Sequence, residues 1–403
     1  MKTQLEILKE RGLIAQESHQ NKISDYLESG AKTFYVGFDP TGDSLHVGHL
    51  AAILCIHRLI SFGHKAICIV GGGTAIIGDP SNKTEMRKMM TAEQIEHNRL
   101  SLAAQMSKLL KLNDVTFLNN ADWLLSLNYL EFMRDYGIHF KVNEMIKNDI
   151  YKNRLDREDG LTVFELNYLL LQSYDYLYLY KKYNCTVQIG GSDQWSNILG
   201  GVDLIKKVEK KEVYALTWPL IARSDGKKMG KSESGAVWLN SEKTGPYEFY
   251  QYWLNVPDTD VERFFKVFTF LEIENIENIM TNDIREAKKV LAYEVTAYIH
   301  GADEANKARE SSEVLFGGKD AALENFEEHL FLKSDFKNDK VNVIDIMIKI
   351  GATKSKREAR DLVSSGGVYV DGVKTEDTEI LLTDKESFLL RVGKKKYFKI
   401  VLS

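Results

Sequence analysis

Residues 33–49 read TFYVGFDPTGDSLHVGH, a short apolar run followed by glycine, polar residues and a pair of histidines. The β-branched and aromatic run Thr33–Val36 predicts a buried strand. Polar and glycine residues then predict a turn, and the histidine pair opens the apolar helical pattern of residues 45–62. A strand that leads through a polar junction into a helix is the building unit of a parallel α/β sheet.

The same pattern of an apolar run followed by polar residues recurs along the first part of the chain. Further strands are predicted at Ala66–Val70, Val115–Leu118, Thr186–Ile189 and Tyr214–Leu220, with helical stretches such as Ala92–Leu112 between them. Strands that alternate with helices predict a parallel α/β sheet that is covered on both faces. The connection at about 121–185 is too long for one crossover, so we expect a helical insertion there.

The remainder of the chain changes character. Residues 244–332 have apolar residues at helical spacing and no strand pattern, which predicts an all-α domain. The polar stretch 333–340 predicts a linker. In residues 341–403 two short helical patterns precede an Asp-Gly pair at 371–372 that lies between two short β runs, a hairpin signal. These residues predict a small α+β domain.

Composition narrows the class of protein. The chain has 403 residues, of which 44% are hydrophobic and 28% charged, and this excludes a disordered or fibrous chain. No run of about 18 apolar residues occurs, so we expect no membrane span, and residues 1–20 predict an amphipathic helix rather than a signal peptide. The three cysteines, none in a CxxC pair, predict reduced thiols and a cytoplasmic protein.

Charge is distributed unevenly along the chain. The formal net charge is -5, yet residues 341–403 carry 12 Lys+Arg against 9 Asp+Glu, while residues 1–340 carry 41 against 49. Four basic residues crowd one short helical stretch of the positive segment: Lys354, Lys356, Arg357 and Arg360. The negative net charge of the whole chain argues against a nucleic-acid partner, whereas the positive charge of residues 341–403 is compatible with one.

Glycine and polar residues follow every predicted strand. They include Asp39 after the first, Gly71 to Thr74 and Asp79 after the second, Asn120 after the third, Gly191 to Gln194 after the fourth, and Arg223 to Ser232 after the fifth. In an open parallel sheet, ligands bind outside the carboxyl ends of the strands. Five such junctions at one edge therefore predict one shared binding site.

Two of these junctions have the chemistry of a phosphate site. His46 and His49 lie three residues apart, so they share one face at a helix start, where free amide groups and the helix dipole favour an anion. Lys228 and Lys231 flank Gly230 on a glycine-rich loop, and two ammonium groups suit a triphosphate. Zinc binding by the histidines is disfavoured, because no third ligand is evident at suitable spacing.

A polar stripe interrupts an otherwise apolar helix. Tyr168, Gln172 and Asp175 stand at i, i+4 and i+7 in the helical run Phe164–Tyr180, among consecutive leucines. The flanking sequence is too apolar for a solvent-exposed face, so the stripe predicts the lining of a pocket. Such a pocket could hold an ammonium group together with a phenol or an amide.

Taken together, these motifs resemble the class I aminoacyl-tRNA synthetases. His46-Val47-Gly48-His49 matches the His-Ile-Gly-His signature of that family, and residues 228–232, KMGKS, match its KMSKS signature with glycine in place of the first serine. Residues 35–49, 71–83, 166–175 and 188–195 are similar to the bacterial tyrosyl members, and the resemblance runs over nearly the whole chain. Residues 341–403 resemble a small RNA-binding domain first named for a ribosomal protein.

The resemblance implies a Rossmann-like catalytic domain over residues 1–243, an all-α domain on the anticodon side and an RNA-binding tail. It also implies a two-step reaction. L-tyrosine is activated with ATP to tyrosyl-adenylate and pyrophosphate, and tyrosine then passes to the 3′ end of tRNA(Tyr). Mg²⁺ would enter with the ATP, no metal would be bound by the protein itself, and no separate editing domain is evident.

The resemblance further implies a role for each matching residue. Tyrosine would be bound by Tyr35, Thr74, Asp79, Asn120, Tyr168, Gln172, Asp175 and Gln194, with Tyr35 and Asp175 on its hydroxyl, Asp79, Tyr168 and Gln172 on its ammonium group, and Gln194 on its carboxylate. The adenylate would contact Gly37, Asp39, Gly48, Gly191, Asp193 and Lys231. The transferring triphosphate would meet Thr41, His46, His49, Lys83, Arg87, Lys228, Lys231 and Ser232. The basic residues of the tail, Lys354, Lys356, Arg357 and Arg360, would bind tRNA.

Family members are symmetric dimers that pair through the insertion, so the resemblance implies a homodimer. Five apolar residues of the insertion are expected to supply the paired surface: Phe132, Met133, Tyr136, Phe140 and Met145. Val36 and Ala52 depart from one version of the family pattern, since neither offers a side-chain hydrogen bond to the nucleotide.

Three alternatives share part of this pattern. A tryptophanyl-tRNA synthetase has the same fold and both signatures, but Tyr35 and Asp175 favour tyrosine, because an indole presents a single N–H donor. A small-molecule adenylyltransferase uses a histidine pair yet needs neither the helical domain nor the basic tail. A non-catalytic RNA-binding paralogue would have no reason to keep both signatures.

Overall fold

The structure is a computed structural model of the 403-residue chain. It describes residues 2–20, 22–79, 90–110, 114–147, 151, 155, 160–226, 229–232, 235–317, 328–332, 340–370, 373–375, 379–381, 387–393 and 396–402. For residues 231, 232, 314–317, 340, 341, 379–381 and 396 it describes the backbone alone. The chain packs as two compact units, Met1–Lys243 with Pro257–Asn282, and Thr244–Val256 with Asp283–Ser403.

The first unit is built on a six-stranded sheet. Its strands are β1 Gln16–Glu17, β2 Thr33–Phe38, β3 Lys65–Val70, β4 Val115–Leu118, β5 Cys185–Gly191 and β6 Tyr214–Trp218, in the spatial order β1-β6-β5-β2-β3-β4. β2 pairs in parallel with both β3 and β5, and the pairs β3–β4 and β5–β6 are parallel as well. The predicted parallel sheet is confirmed. Strands β2 to β6 all run in one direction, but the order in which they are added reverses between β2 and β5, the place where such sheets bind ligands.

Both units contain helices, and those of the first unit pack on this sheet and fill its long connections. In chain order the helices are α1 Gln4–Glu10, α2 Ile23–Glu28, α3 Leu50–Ser61, α4 Ala92–Leu110, α5 Ala121–Leu124, α6 Tyr129–Asp135, α7 Val142–Met145, α8 Val163–Tyr183, α9 Trp195–Glu209, α10 Pro246–Leu254, α11 Val261–Phe268, α12 Ile273–Met280, α13 Ile284–His300, α14 Ala302–Gly317, α15 Val343–Lys349 and α16 Lys356–Ser364. α5 to α7 occupy the predicted insertion. α8 packs against α9 and β5, which places its polar stripe beside the sheet.

The N-terminal segment is shorter than the amphipathic helix predicted over residues 1–20. α1 ends at Glu10, and Gly12 has a φ of 70°, a left-handed conformation that glycine adopts without strain. The chain then turns, and β1 pairs antiparallel with β6 at the edge of the sheet. A strand of two residues leaves no periodic pattern in the sequence, so periodicity could not reveal it.

The predicted all-α region is divided between the two units. α10 packs with α13 and α14 in the second unit, whereas α11 packs against α3 in the first. The region also contains one strand that its sequence pattern did not predict, β9 Glu328–Phe331. The domain boundaries at 243, 332 and 340 therefore stay a prediction, and most of the proposed linker, residues 333–339, lies outside the described residues.

The tail is a small α+β arrangement around its own core. Its five-stranded sheet contains β9, β11 Val368–Val370, β12 Val373–Lys374, β14 Ser387–Val392 and β15 Lys396–Leu402, while β10 Lys340–Asn342 pairs with β13 Glu379–Leu381. The apolar faces of α15 and α16 pack on this sheet through Val343, Met347 and Ala359. β11 and β12 pair Val370 with Val373, as the hairpin prediction requires, although residues 371–372 themselves are not described.

Two further sequence expectations concern membrane spans and cysteine chemistry. Within the described ranges, no helix is both long and apolar enough to cross a lipid bilayer. Cys55, Cys68 and Cys185 are buried and unbridged, and burial raises the pKa of the Cys55 and Cys68 thiols to about 12. A buried thiol with a raised pKa is a poor nucleophile, so these cysteines belong to the packing of the first unit.

Candidate active site

The residues that follow the parallel strands converge at one edge of the sheet. Asn120, which follows β4, donates from Nδ2 to Thr74 Oγ1 at 3.0 Å, and Thr74 follows β3. Tyr168 on α8 donates to Asp39, which follows β2, at 3.4 Å. Gln194, which follows β5, donates to Asp79 at 2.7 Å. These contacts join positions that are distant in sequence and bring the residues that follow β2 to β5 together, while a shared binding site at this edge stays a prediction.

A buried carboxylate lies at the centre of this site. Asp175 on α8 is 3% exposed, and its two oxygens accept hydrogen bonds from Trp123 Nε1 at 2.7 Å and from Asn120 Nδ2 at 2.9 Å. Burial raises the pKa of Asp175 to about 7, against the opposing effect of these two donors and with a smaller contribution from the charge of Asp39. Asp175 is therefore held in a fixed orientation but only partly stabilised as an anion.

Sequence reasoning missed Trp123 as a site residue. It lies on α5, three residues after Asn120, so the two side chains share a helix face and reach Asp175 together. The Trp123 ring also stacks on Tyr178 at 4.4 Å, which fixes the direction of its N–H. The i, i+3 spacing from Asn120 was the one signal in the sequence that could have identified it.

Tyr35 on β2 is the second group of the central pocket. Its side chain is 2% exposed, its ring packs on Tyr176 at 5.3 Å, and its hydroxyl has no hydrogen-bond partner in the part of the chain that the structure describes. Burial, and then the charge of Asp175, raise the pKa of Tyr35 well above its ordinary value. A buried hydroxyl without a partner costs free energy, so this group suits a ligand that carries a hydroxyl.

A second group of polar side chains, here called the polar wall, includes Asp79, Gln194 and Gln172. Asp79 is 7% exposed and accepts a hydrogen bond from Gln194, whose side-chain oxygen in turn accepts from Asn197 Nδ2 at 3.2 Å. Among the described residues, the side-chain oxygen of Gln172 is buried without a hydrogen-bond partner. Carboxylate and amide oxygens are acceptors, so this wall suits a cationic group such as a ligand ammonium.

The histidine pair forms a compact turn rather than the start of a regular helix. His46 Nδ1 accepts from the backbone N–H of Gly48 at 2.9 Å, and His49 Nδ1 accepts from the backbone N–H of His46 at 3.1 Å. Since each Nδ1 is an acceptor, the ring proton of the neutral form is on Nε2 in both residues. Burial, and then the charge of His46, lower the pKa of His49 to about 3, so His49 is neutral at physiological pH.

The segment that contains Gly230 and Lys231, here called the lysine-bearing loop, lies directly against this turn. Val237 N–H donates to Gly230 O at 2.7 Å, and Val47 N–H donates to Val237 O at 3.0 Å. Gly230 has a φ of 76°, and a Cβ added there would lie 3.0 Å from the Gly48 nitrogen. A Cβ at Gly48 would itself meet the His46 ring at 2.6 Å. Glycine at both positions allows the two signature segments to touch through their backbones.

The remaining predicted site residues lie near the strand ends or outside the described residues. Thr41 and Gly37 are exposed near the end of β2, Gly191 ends β5, and Asp193 lies two residues after it. Val36 and Ala52, the two departures from the family pattern, are 1% and 4% exposed within the core. Lys83, Arg87 and Lys228 lie outside the described residues, and Lys231 and Ser232 are described by their backbone, which pairs with Gly235–Ala236.

Three of the predicted tRNA-binding residues are on α16 of the second unit, and the fourth, Lys354, lies two residues before it. Ala359 and Val363 face the core of the tail, while Lys354, Lys356, Arg357 and Arg360 are exposed. Lys356 forms an ion pair with Asp345 at 2.8 Å.

In the described part of the chain, no group of three or more His, Cys, Asp or Glu side chains is arranged to hold a metal ion.

The carboxyl group of Asp175 should titrate near pH 7, and removing the Trp123 donor should move its titration upward. In Trp123→Phe the carboxylate loses one of its two hydrogen bonds while burial still penalises the charge, so its pKa should rise further above 7. Carbon-13 NMR of aspartate-labelled protein measures this, with the resonance assigned by its loss in Asp175→Asn. Trp195→Phe is the matched control, and an equal shift in that variant would contradict the assignment.

Comparison with known proteins agrees with this geometry. The family model for class I tRNA synthetases of tryptophan and tyrosine matches residues 28–317, and a model for the C-terminal domain of tyrosine–tRNA ligases matches residues 331–400. The tyrosine–tRNA ligase of Clostridium botulinum is 47% identical over 98% of both chains, and that of Acetivibrio thermocellus is 46% identical over 100% of both.

Solved structures show the same relationship. A C-terminally truncated mitochondrial tyrosyl-tRNA synthetase of Aspergillus nidulans has a TM-score of 0.71 and 32% identity, over 78% of this chain and 95% of that chain. A Plasmodium falciparum tryptophanyl-tRNA synthetase, at 11% identity and a TM-score of 0.55 over 76% of this chain and 86% of that chain, shares the fold alone. On the full-length identity and both family models, the chain belongs to the tyrosine–tRNA ligases of the class I tRNA synthetase family.

Proposed function

We propose that this ligase recognises the tyrosine hydroxyl with Asp175 and Tyr35. The single observation that carries the proposal is the buried pair formed by the fixed Asp175 carboxylate and the Tyr35 hydroxyl, which has no hydrogen-bond partner among the described residues. The ligand hydroxyl would donate to Asp175 and accept from Tyr35, which satisfies both groups at once. A site built to bond a hydroxyl rejects an analogue that lacks it, and the tyrosyl enzymes are a known instance of this rule.

The amino-acid end of tyrosine would lie at the polar wall. We assign the ammonium group to Asp79, Tyr168 and Gln172, with Thr74 and Asn120 as supporting neighbours, and the carboxylate to Gln194. The support for this assignment is that Asp79 and Gln194 are already hydrogen-bonded to each other at 2.7 Å, so a bound ammonium carboxylate would meet a matched acceptor and donor. Asp39, Gly191 and Asp193 would contact the adenylate, together with Gly37 and Gly48.

The triphosphate of ATP would lie between the two signature segments. His46 and His49 would each present Nε2–H to it, and Lys228, Lys231 and Ser232 would approach from the loop. Thr41, Lys83 and Arg87 complete the set that we propose from the resemblance. Mg²⁺ would enter as part of the ATP substrate. Fixed donors at a site of changing charge stabilise the transition state, so these groups would act on rate more than on binding.

The chemistry requires no nucleophile from the protein. A tyrosine carboxylate oxygen attacks the α-phosphorus of ATP, the bond to the bridging oxygen breaks, and pyrophosphate leaves with the electron pair. A ribose hydroxyl at the 3′ end of tRNA then attacks the tyrosyl carbonyl, loses its proton, and AMP leaves. The protein contributes positioning and electrostatic stabilisation, as in other phosphorus-centred displacements.

Exchange of labelled pyrophosphate into ATP tests the recognition of tyrosine. We expect exchange with tyrosine and much less with phenylalanine or tryptophan. In Asp175→Ala the tyrosine hydroxyl loses its acceptor, a change worth about 1–3 kcal/mol, so tyrosine-dependent exchange should fall while any phenylalanine-dependent exchange changes little. Asp175→Asn keeps the side-chain volume and should show the same direction. Equal loss for both amino acids would show that Asp175 does not read the hydroxyl.

We also propose that the enzyme is a homodimer that pairs through the insertion. The residues predicted to form the interface do not carry this proposal, because they pack inside the first unit: Phe132 and Met145 are 6% and 5% exposed, and Met133, Tyr136 and Phe140 pack against them. Other apolar residues of the same region are exposed instead, namely Leu125, Tyr129, Leu130, Ile138, Val142 and Val163. So much exposed apolar surface in one region is typical of a protein interface.

A charge placed on this surface should separate the dimer. Ile138 and Val163 are each 71% exposed, so the double substitution Ile138→Glu and Val163→Glu should leave the folded chain intact while opposing association. Light scattering at micromolar concentration should then report a monomer with reduced charging of tRNA. Leu100→Glu, on α4 and 54% exposed, is the control and should remain a dimer. A wild-type monomer that charges tRNA fully would refute the proposal.

The basic tail would bind the tRNA away from its amino-acid end. The exposed side chains of Lys354, Lys356, Arg357 and Arg360 support this assignment, since they present positive charge at and just before α16, in the net positive segment of a chain whose total charge is -5. Contacts of this kind are made to phosphates and weaken as salt increases.

Because its tRNA partner serves translation, we place the enzyme in the cytoplasm.

Removal of the tail should separate the two steps of the reaction. A chain that ends at Asp339 keeps the whole first unit, so it should form tyrosyl-adenylate at close to the full-length rate. Its transfer of tyrosine to tRNA should be weak, with the defect in tRNA affinity and with a smaller dependence on salt than the full chain shows. If tRNA charging at physiological salt were unchanged, the tail would not be the tRNA-binding element.

A further inference from the structure

The segment that leads from β6 into the lysine-bearing loop is tied to a buried carboxylate. The backbone N–H and the hydroxyl of Ser224 both donate to Asp260 Oδ2, at 2.8 and 3.0 Å. Asp260 is only 2% exposed, although it stands in the short 3-10 turn Asp258–Asp260 that precedes α11. A carboxylate that is buried this far has lost its hydration, so both of its oxygens need hydrogen-bond donors.

The second oxygen of Asp260 is held by Arg263. Arg263 Nη2 donates to Asp260 Oδ1 at 2.8 Å and to the carbonyl oxygen of Ala222 at 2.5 Å. The Ser224 hydroxyl also lies 2.8 Å from the Thr259 hydroxyl. Residues 222–224 are therefore fixed by side chains of this 3-10 turn and of the first turn of α11, which are 35 to 41 residues away in sequence.

The far end of α11 is attached to the helix that follows the histidine pair. Arg58 on α3 donates to the carbonyl oxygen of Thr269, and Arg11 donates to the same oxygen at 3.3 Å and to Leu271 O at 2.7 Å. Both arginines are buried. They satisfy carbonyl groups that the end of a helix leaves open. α11 thus connects α3 with the start of the loop.

The other end of the loop is anchored beside the histidines. Val47 N–H donates to Val237 O at 3.0 Å, and Leu239 N–H donates to Leu45 O at 2.8 Å. Between the two anchors the backbone has positive φ angles at Gly226 and Gly230. The position of the loop relative to the histidine pair therefore depends on how its two ends are held.

We propose that Asp260 is a positioning residue for adenylate formation, which fixes where the lysine-bearing loop begins relative to the histidine pair. The inference rests on the proposed function, because it assumes that Lys231 meets the triphosphate. A displacement of about 1 Å in a positioned group can cost about 100-fold in rate. Loss of the Asp260 contacts should therefore slow the use of ATP. It should leave tyrosine binding unchanged, because none of the residues that we assign to tyrosine lies on this loop or on α11.

The test uses the full-length protein with Asp260→Ala, Asp260→Asn and a control, Glu262→Gln. The control removes the Glu262–Lys266 ion pair of α11, in which Glu262 is 53% exposed, and leaves residues 222–224 untouched. We expect the rate of tyrosyl-adenylate formation in stopped flow to fall by about 10- to 100-fold in Asp260→Ala. Asp260→Asn keeps an acceptor for Ser224 but not the charge that faces Arg263, so its loss should be smaller. The dissociation constant of tyrosine should be unchanged in all three.

Three outcomes would overturn the proposal. A parallel loss of rate and tyrosine affinity, a normal rate in both Asp260 variants, or a loss in Glu262→Gln as large as theirs would each overturn it. If Asp260→Ala does not fold, Asp260→Asn with its melting temperature decides alone. Lys231→Ala is measured beside them. A normal rate in Lys231→Ala would refute the proposed role of the loop, whereas a slow Lys231→Ala beside normal Asp260 variants refutes only the positioning role.

Discussion

Parallel pairing of β2 with β3 on one side and with β5 on the other is the interaction on which the active site depends. The registers pair Phe38 with Val70 and Tyr35 with Gln188, so the strands end close together. Because parallel strands share one direction, the residues that follow them emerge at the same edge of the sheet. The parallel pairing of β3 with β4 likewise places the ends of these two strands side by side, which allows the hydrogen bond between Asn120 and Thr74.

Two buried carboxylates show how the fold handles the cost of desolvation. Asp175 is held by two neutral donors, Asn120 and Trp123, and burial still raises its pKa to about 7. Asp260 is held by Ser224 and by the positive charge of Arg263. The first is fixed but incompletely stabilised, which suits a group that must accept a hydrogen bond from a ligand. The second has both oxygens bonded within the chain, which suits a group that holds another segment in place.

The two signature segments meet through their backbones rather than through long side chains. Gly48 and Gly230 leave room for this approach, and Val237 bridges the two segments with a hydrogen bond in each direction. Gly230, which replaces the first serine of the KMSKS signature, therefore fits the close approach of the two segments. At Gly230 a side chain would crowd Gly48 and would require a left-handed backbone conformation.

The sequence alone determined the bounds of the five parallel strands to within one or two residues, and it singled out the polar stripe of α8 as the predicted lining of a pocket. Those features depend on local periodicity and on residues near one another in the chain. Sequence similarity supplied the family. Only the tertiary structure decided that Trp123 bonds to Asp175, that Asp260 holds Ser224, and that Phe132 is core. Periodicity reveals which face of an element is apolar, whereas packing between distant segments decides what covers that face.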